Sequence, residues 1–131
     1  WTVAPRARPG DIVLMYRSGT RGQARDAGAN EALLQSIANI YEVTTVPERD
    51  RKFGWAAYVR QIARLEEPIR LEHLNDDLFL KDAGWLKAHV IGRPEVTVHW
   101  WRLLQLILKC NPALKKNKNF LDACKLSPIA E

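Results

Sequence analysis

The apolar positions in the first half of the chain follow strand patterns. Residues 12–16 form an uninterrupted apolar run, which is long enough for a buried strand and too short for a helix. Residues 33–46 are rich in Ile, Val, Tyr and Thr, and more apolar positions alternate there with less apolar ones, as in a strand with one buried face. Residues 55–65 predict a third strand, although two alanines leave a helix open. Pro47 and Pro68 are expected to end the second and the third strand.

The second half of the chain changes to a helical period. From position 100 to position 108, apolar residues recur at i, i+3, i+4, i+7 and i+8, which predicts a helix with one apolar face. Thr97 precedes this helix as a candidate cap, and Pro112 follows its end. Leucines at i, i+3 and i+7 predict a shorter helix within residues 71–78. Strands followed by short helices and one longer helix indicate an α+β fold, built on a curved sheet or an open β-barrel.

Length and composition place the chain among folded domains. It has 131 residues, of which 27% are charged and 47% belong to the hydrophobic class, so it can bury a core of its own. No run of about 18 apolar residues and no secretory signal is present, and we expect a cytoplasmic protein without a membrane span. Cys110 and Cys124 are expected to be reduced thiols. The chain opens at Trp1 without an initiator Met, so we expect it to be a piece of a longer protein.

The formal net charge of +5 is unevenly distributed. Residues 1–25 hold five arginines and one aspartate, and residues 109–118 hold four lysines and no acid. Residues 66–82 instead hold six acids against two basic residues. Arginines on loops rich in glycine, such as the polar segment 17–30, suit phosphate groups, because the planar guanidinium donates two hydrogen bonds at once. A basic face that is merely solvated is the alternative explanation.

Patterns that support catalysis or a metal site are missing from the sequence. The three histidines, at positions 73, 89 and 99, lie far apart, and neither cysteine has a neighbour at metal-ligand spacing. No phosphate-binding glycine motif and no nucleophile elbow occurs. The carboxylate pair Asp76–Asp77 is better explained by helix capping than by acid–base chemistry. We therefore expect a binding module without enzymatic activity, metal or cofactor.

The five tryptophans divide into different classes. Trp1 and Trp55 lie at loop or strand-edge positions, where a flat ring can stack on an unstacked base. Trp100 belongs to the apolar stripe of the last helix and is expected in the core, whereas Trp101 lies off that stripe. Trp85 fits either class. Exposed tryptophans in a basic protein favour a nucleic acid as the partner.

Several segments, taken in order, resemble one family. Residues 2–16 contain a Pro-Gly-Asp-Ile-Val turn, and residues 35–43 read Gln-Ser-Ile-Ala-Asn-Ile-Tyr-Glu-Val. Residues 60–74 contain the pattern LxxPIxLxxL, residues 90–93 read Val-Ile-Gly-Arg, and the helix from Trp100 reads W..LL.LI. In this order and spacing they resemble the EVE domains of the PUA-like superfamily, to which YTH and ASCH domains are related. The resemblance extends to about Pro112.

The resemblance implies a fold, a function and a division of the chain. It implies a PUA-like domain over residues 1–112, whose usual first strand would precede Trp1, and a C-terminal extension or linker over residues 113–131. EVE domains are regarded as readers of methylated or hydroxymethylated cytosine in DNA, and they are often fused to restriction nucleases or other defence modules. The chain is therefore expected to bind a modified base that is flipped out of its strand, with an effector domain as a fused or separate partner.

The resemblance also assigns residues to the pocket. Trp1 and Trp55 would form its walls, and the segments 16–18 and 36–39 would line its edge and the adjacent strand. The full set of expected pocket residues is Trp1, Thr2, Tyr16, Arg17, Ser18, Ser36, Asn39 and Trp55. The residues expected to contact phosphates, on the loops and on the charged connector, are Arg6, Arg8, Arg21, Arg25, Arg51 and Lys52.

Two alternatives remain open at the level of sequence. One is an RNA-binding domain of the PUA, YTH or ASCH kind, for example a reader of N6-methyladenine. The other is a scaffold or protein-interaction domain whose basic faces are only solvated. Exposure of Trp1 and Trp55 would favour a reader, whereas burial of both would favour a scaffold.

Overall fold

The computed structural model describes residues 2–17, 35–52, 54–88, 90 and 93–125, and within them the protein has an α+β fold. This confirms the predicted fold class. The described strands form one three-stranded antiparallel sheet and one two-stranded sheet, and no closed barrel occurs in this part of the chain. That the sheet is PUA-like stays a prediction.

Five strands make up the two sheets. They are β1 (Ile12–Arg17), β2 (Ser36–Val43), β3 (Glu48–Asp50), β4 (Gly54–Ala56) and β5 (Val59–Arg70). The three-stranded sheet has the order β1-β2-β5, and β3 pairs with β4 as an antiparallel hairpin. Residues 48–52, which were expected to form a charged connector, therefore consist mostly of strand β3.

The helices are short except for one. They are α1 (Leu71–Asp76), α2 (Gly84–Lys87), a 3-10 turn (Thr97–His99), α3 (Trp100–Cys110), a second 3-10 helix (Pro112–Lys116) and α4 (Lys118–Ala123). The prediction of α3 is confirmed, and its buried residues are Leu103 and Ile107. Trp100, which was expected in the core, is only half-buried. Thr97 does not cap α3: Thr97 begins the 3-10 turn, and the residue at the N-cap position of α3 is His99.

Strand boundaries differ from the prediction at three places. The second strand was expected to reach residue 46 and to be ended by Pro47, but β2 ends at Val43, before the proline. The third strand was expected to run unbroken over residues 55–65, but the chain leaves the ladder at Ala57 and Tyr58. Tyr58 bonds instead to Thr44 and Thr45: its N–H donates to the Thr45 hydroxyl at 3.0 Å, and its carbonyl accepts the Thr44 N–H at 2.9 Å and the Thr44 hydroxyl at 3.1 Å. Pro68 does not end β5, because β5 is an outer strand, where the missing N–H of proline is tolerated.

The chain divides into two compact units, and each strand of the larger sheet contributes residues to both. Unit 1 comprises residues 1–14, 39–64 and 113–131. Its apolar cluster centres on Val3, Val43 and Ala57. The segment expected to be an extension or linker belongs to this unit, because Phe120 on α4 is fully buried. Arg60 also donates to the Asn119 side-chain oxygen at 2.7 Å.

Unit 2 comprises residues 15–38 and 65–112. Its buried side chains come from β5 and the helices, and they include Ile69, Leu74, Leu80, Leu103 and Ile107. Asn111 ends α3 and joins it to β5: its side-chain oxygen accepts the Glu67 N–H at 2.9 Å, and its Nδ2 donates to the Glu67 carbonyl at 3.0 Å. The Asn111 side-chain amide thus pairs with the backbone N–H and carbonyl of Glu67, as the backbone of an adjacent strand would.

Candidate nucleic-acid interface

The β3–β4 hairpin of unit 1 carries Trp55, the predicted pocket tryptophan that the structure describes. Its register pairs Arg49 with Trp55 and Asp50 with Gly54. Residues directly opposite each other in a ladder lie on the same face, so the exposed Arg49 accompanies the half-buried Trp55. The turn is closed by the Asp50 carboxylate, which accepts the Lys52 N–H at 2.8 Å, and by Gly54 at a φ of 83°.

The start of the chain lies along the other edge of β4. Thr2 forms an antiparallel bridge with Ala56, and the Val3 N–H donates to the Trp55 carbonyl at 3.0 Å. Val3 is therefore level with Trp55. Because side chains alternate along a strand, Thr2 lies on the face opposite to Trp55. The structure brings the backbones of Thr2 and Trp55 together without placing their side chains on one surface.

The excess positive charge belongs to unit 1. Its described residues hold eleven lysines and arginines against five aspartates and glutamates, a formal charge of +6. The described residues of unit 2 hold seven of each, a formal charge of zero. By formal charge, unit 1 is therefore the more favourable of the two units for an anionic partner.

All four predicted phosphate-contact residues that the structure describes lie on two exposed segments of unit 1. Arg51 and Lys52 occupy the tip of the hairpin. Arg6 and Arg8 are exposed on the N-terminal segment, where the Arg8 guanidinium donates to the Ala7 carbonyl at 2.8 Å and to the Pro5 carbonyl at 3.3 Å. These bonds hold the guanidinium beside the turn. Trp1, Ser18, Arg21 and Arg25 lie outside the described residues.

Three of the remaining predicted pocket residues belong to unit 2. Tyr16 is half-buried, and burial raises the pKa of its phenol. Arg17 is exposed, and its carbonyl accepts the Gln35 N–H. Ser36 is fully buried, so its hydroxyl has no surface with which to touch a base. Asn39 belongs to unit 1, where its Nδ2 donates to the Gln61 side chain at 3.2 Å.

The sequence analysis missed Arg49, the residue directly opposite Trp55. The signal was present, since Asp50 and Gly54 are turn residues and Arg49 and Trp55 flank them symmetrically. Tyr58, 79% exposed, was also missed; it follows the hairpin and is the most exposed aromatic side chain in the described part of unit 1.

The two cysteines are not joined by a disulfide, and Cys124 is poorly suited to act as a nucleophile. Both Cys110 and Cys124 are free. Burial, assisted by the negative charge of Glu42, raises the pKa of the Cys124 thiol to about 11, so this thiol stays protonated at neutral pH. Among the described residues, no three His, Cys, Asp or Glu side chains come together as a metal site. None of the described helices has the length and apolarity that a bilayer span requires.

Comparisons with known proteins give no assignment. No protein-family model, no curated protein and no solved structure matches the chain. The resemblance to the EVE domains consequently stays a prediction from the segments quoted above.

Proposed function

We propose that the chain is a non-enzymatic nucleic-acid-binding module that reads a modified base flipped out of its strand. The favoured ligand is DNA containing methylated or hydroxymethylated cytosine, as the resemblance to the EVE domains implies. The observation that carries the proposal is the β3–β4 hairpin, which places a half-buried tryptophan beside an exposed arginine in the unit that holds the excess positive charge.

Trp55 is suited to hold the base. Stacking a base on an aromatic ring contributes about 1–3 kcal/mol, and flipping a base out of a duplex costs a few kcal/mol. One ring offsets only part of that cost, so hydrogen bonds to the base and contacts to the backbone must supply the rest. Arg49 lies on the face of Trp55 and is the nearest candidate for either contact.

The hairpin tip and the N-terminal segment are suited to hold phosphates. Arg51 and Lys52 at the tip, with Arg6 and Arg8 on the segment, present exposed cations in the same unit as Trp55. Phosphate contacts position the nucleic acid and carry no sequence information. Discrimination between bases therefore depends on the pocket, and overall affinity depends largely on these cations.

A titration with modified oligonucleotides tests the proposal. DNA duplexes of one sequence would carry cytosine, 5-methylcytosine, 5-hydroxymethylcytosine or N6-methyladenine at one position, and RNA with and without N6-methyladenine would complete the series. We expect the tightest binding to a modified cytosine in DNA. Equal affinity for all duplexes would overturn base reading, and preference for methylated RNA would replace DNA with RNA. Absence of binding to any oligonucleotide would overturn the function altogether.

Two variants connect the result to the hairpin. Trp55→Ala is expected to abolish discrimination between bases while leaving weak, salt-dependent binding. Trp101→Ala is the matched control, because it removes a half-exposed indole from unit 2. Arg49→Gln keeps the hairpin backbone and tests the same face without a large loss of packing. Discrimination that survives both Trp55→Ala and Arg49→Gln would show that the base binds elsewhere.

A further inference from the structure

Unit 2 presents two aromatic rings to solvent at one place. Phe79, in the turn after α1, and Trp101, on α3, are 57% and 50% exposed, and their ring centroids lie 5.2 Å apart in an edge-to-face arrangement. Leu78, the neighbour of Phe79, is 77% exposed. We call Leu78, Phe79 and Trp101 the aromatic patch. Large apolar side chains exposed together are a common mark of an interaction surface, whereas single exposed ones are not.

Asp77 and Arg102 support Phe79 in the aromatic patch. The Asp77 carboxylate is almost completely buried, and one of its oxygens accepts the N–H groups of Phe79 and Leu80, both at 3.1 Å. Its other oxygen accepts two hydrogen bonds from the Arg102 guanidinium, whose central carbon lies 5.1 Å from the Phe79 ring centroid. The Asp77–Arg102 ion pair thus holds the backbone of Phe79 and places a guanidinium on its ring. A ring that is already held loses less conformational entropy when a partner binds.

Charge determines which partner fits. Glu72 and Asp76 are exposed on α1, four residues apart and therefore on the same side of the helix, and α1 leads directly into the aromatic patch. The described residues of unit 2 have no excess of positive charge. A nucleic acid would meet the carboxylates of the helix that leads into the aromatic patch, whereas a cationic partner could pair with them.

We propose that the aromatic patch docks a protein segment that presents an apolar or aromatic side chain next to lysines or arginines. The apolar side chain would pack on Phe79 and Trp101, and the cations would face Glu72 and Asp76. Aromatic side chains and arginine are the residues that most often dominate the energetics of protein interfaces. This surface lies in unit 2, so the proposal is independent of the nucleic-acid site proposed in unit 1.

The test uses the full 131-residue chain and two synthetic peptides. One probe is an amphipathic helical peptide of Leu, Trp and Lys, about four turns long, and the matched peptide carries Glu at every Lys position. Isothermal titration calorimetry would give the affinities, and the indole N–H resonances of labelled protein would identify the tryptophan that is contacted. We expect the Lys peptide to bind, to shift the Trp101 resonance, and to bind at least about tenfold more tightly than the Glu peptide.

Three variants locate the contact. Trp101→Ala should weaken binding of the Lys peptide about tenfold or more, as expected for a hot-spot residue. The double variant Glu72→Lys, Asp76→Lys changes only exposed side chains and should also weaken it, while the Glu peptide gains affinity. Trp55→Ala should bind the Lys peptide as the original chain does, because Trp55 belongs to unit 1.

Other outcomes would overturn the proposal. Equal affinity for both peptides, or unchanged binding by Trp101→Ala, would show that the aromatic patch does not recognise a cationic apolar segment. Self-association of the chain that Trp101→Ala abolishes would show that a second copy covers the patch. An oligonucleotide that shifts the Trp101 resonance would assign the patch to nucleic acid. If the unmodified chain binds the Lys peptide but no oligonucleotide, that result would count only against the function proposed for unit 1.

Discussion

Asp77 shows how a single residue fixes a local structure. It follows α1, and its carboxylate serves both the backbone of the next turn and the Arg102 guanidinium on α3. The hydrogen bond from Arg102 is the main cause that lowers the pKa of Asp77, burial opposes it, and the N–H groups of Phe79 and Leu80 act with Arg102. The sequence analysis expected helix capping for Asp76–Asp77. The Asp77 carboxylate instead caps the turn that follows α1, and its partner 25 positions away cannot be inferred from one sequence.

Replacing Asp77 is expected to lower the free energy of unfolding more than replacing an exposed neighbouring residue. Asp77→Ala leaves the Arg102 guanidinium half-buried without its carboxylate and two backbone N–H groups without an acceptor, which should lower the free energy of unfolding by about 3 kcal/mol. Urea unfolding at pH 7 would measure the loss. Asp76→Ala is the matched control, because Asp76 is exposed on α1 and should change stability by less than about 0.5 kcal/mol.

The pH dependence follows from the direction of the shift. Because the pKa of Asp77 is lower in the folded than in the unfolded state, its contribution is complete above the unfolded pKa and is lost as the pH falls through the folded pKa. The stability difference between the original chain and Asp77→Ala should therefore shrink in the acid range. A difference that stays constant from neutral pH down through the acid range would contradict the role given to the carboxylate.

At the scale of elements, the β3–β4 hairpin depends on one backbone conformation. Gly54 has a φ of 83°, in the left-handed region, and a Cβ there would meet no atom within 4 Å. Gly54→Ala should consequently lower stability through the backbone alone, by about 1 kcal/mol. It should also weaken oligonucleotide binding further than this loss explains, because Gly54 pairs with Asp50 next to the Arg49–Trp55 pair.

Gly10→Ala provides the control for the hairpin. Gly10 has a φ of 95°, an added Cβ would also meet no atom within 4 Å, and the residue belongs to the same unit. Thermal unfolding should give a similar destabilisation for both variants, whereas fluorescence titration with an oligonucleotide should show a larger loss for Gly54→Ala. Equal effects on binding would mean that the hairpin contributes no more to the interface than the N-terminal segment that carries Arg8 and Gly10.

Elements with a long period were predictable, and elements that depend on distant partners were not. The spacing of its apolar residues predicts the eleven-residue helix α3, and the structure confirms its bounds to within two residues. Strand β3 has three exposed residues and no apolar pattern, so only its pairing with β4 makes it a strand. After β4 ends, Tyr58 bonds to the backbone of Thr44 and to the hydroxyls of Thr44 and Thr45, which lie more than ten positions earlier. For the candidate site, Trp55 could be predicted. Arg49 was missed although it and Trp55 flank the turn residues Asp50 and Gly54, because the exposed strand β3 has no apolar pattern that marks a hairpin.

At the scale of the whole molecule, charge and exposed aromatic surface are distributed differently between the two units. Unit 1 holds the positive excess together with Trp55, whereas unit 2 is neutral over its described residues and holds Phe79 and Trp101. The sequence analysis placed the excess before residue 26 and after residue 108. In the fold, unit 1 combines residues from three separate stretches of the chain. It also includes the hairpin cations Arg49, Arg51 and Lys52, which lie outside those two regions.

Salt dependence distinguishes a specific cationic site from general attraction by net charge. The triple variant Arg49→Ala, Arg51→Ala, Lys52→Ala removes three cations from the hairpin, and Lys81→Ala, Arg93→Ala, Lys109→Ala removes three exposed cations from unit 2. Both variants lower the formal net charge from +5 to +2. If the hairpin binds phosphates, only the first variant should flatten the plot of log K against log salt, by about 0.9 for each phosphate of duplex DNA that is no longer neutralised. If net charge alone drives binding, both variants should weaken it equally, and the proposed interface would lose its support.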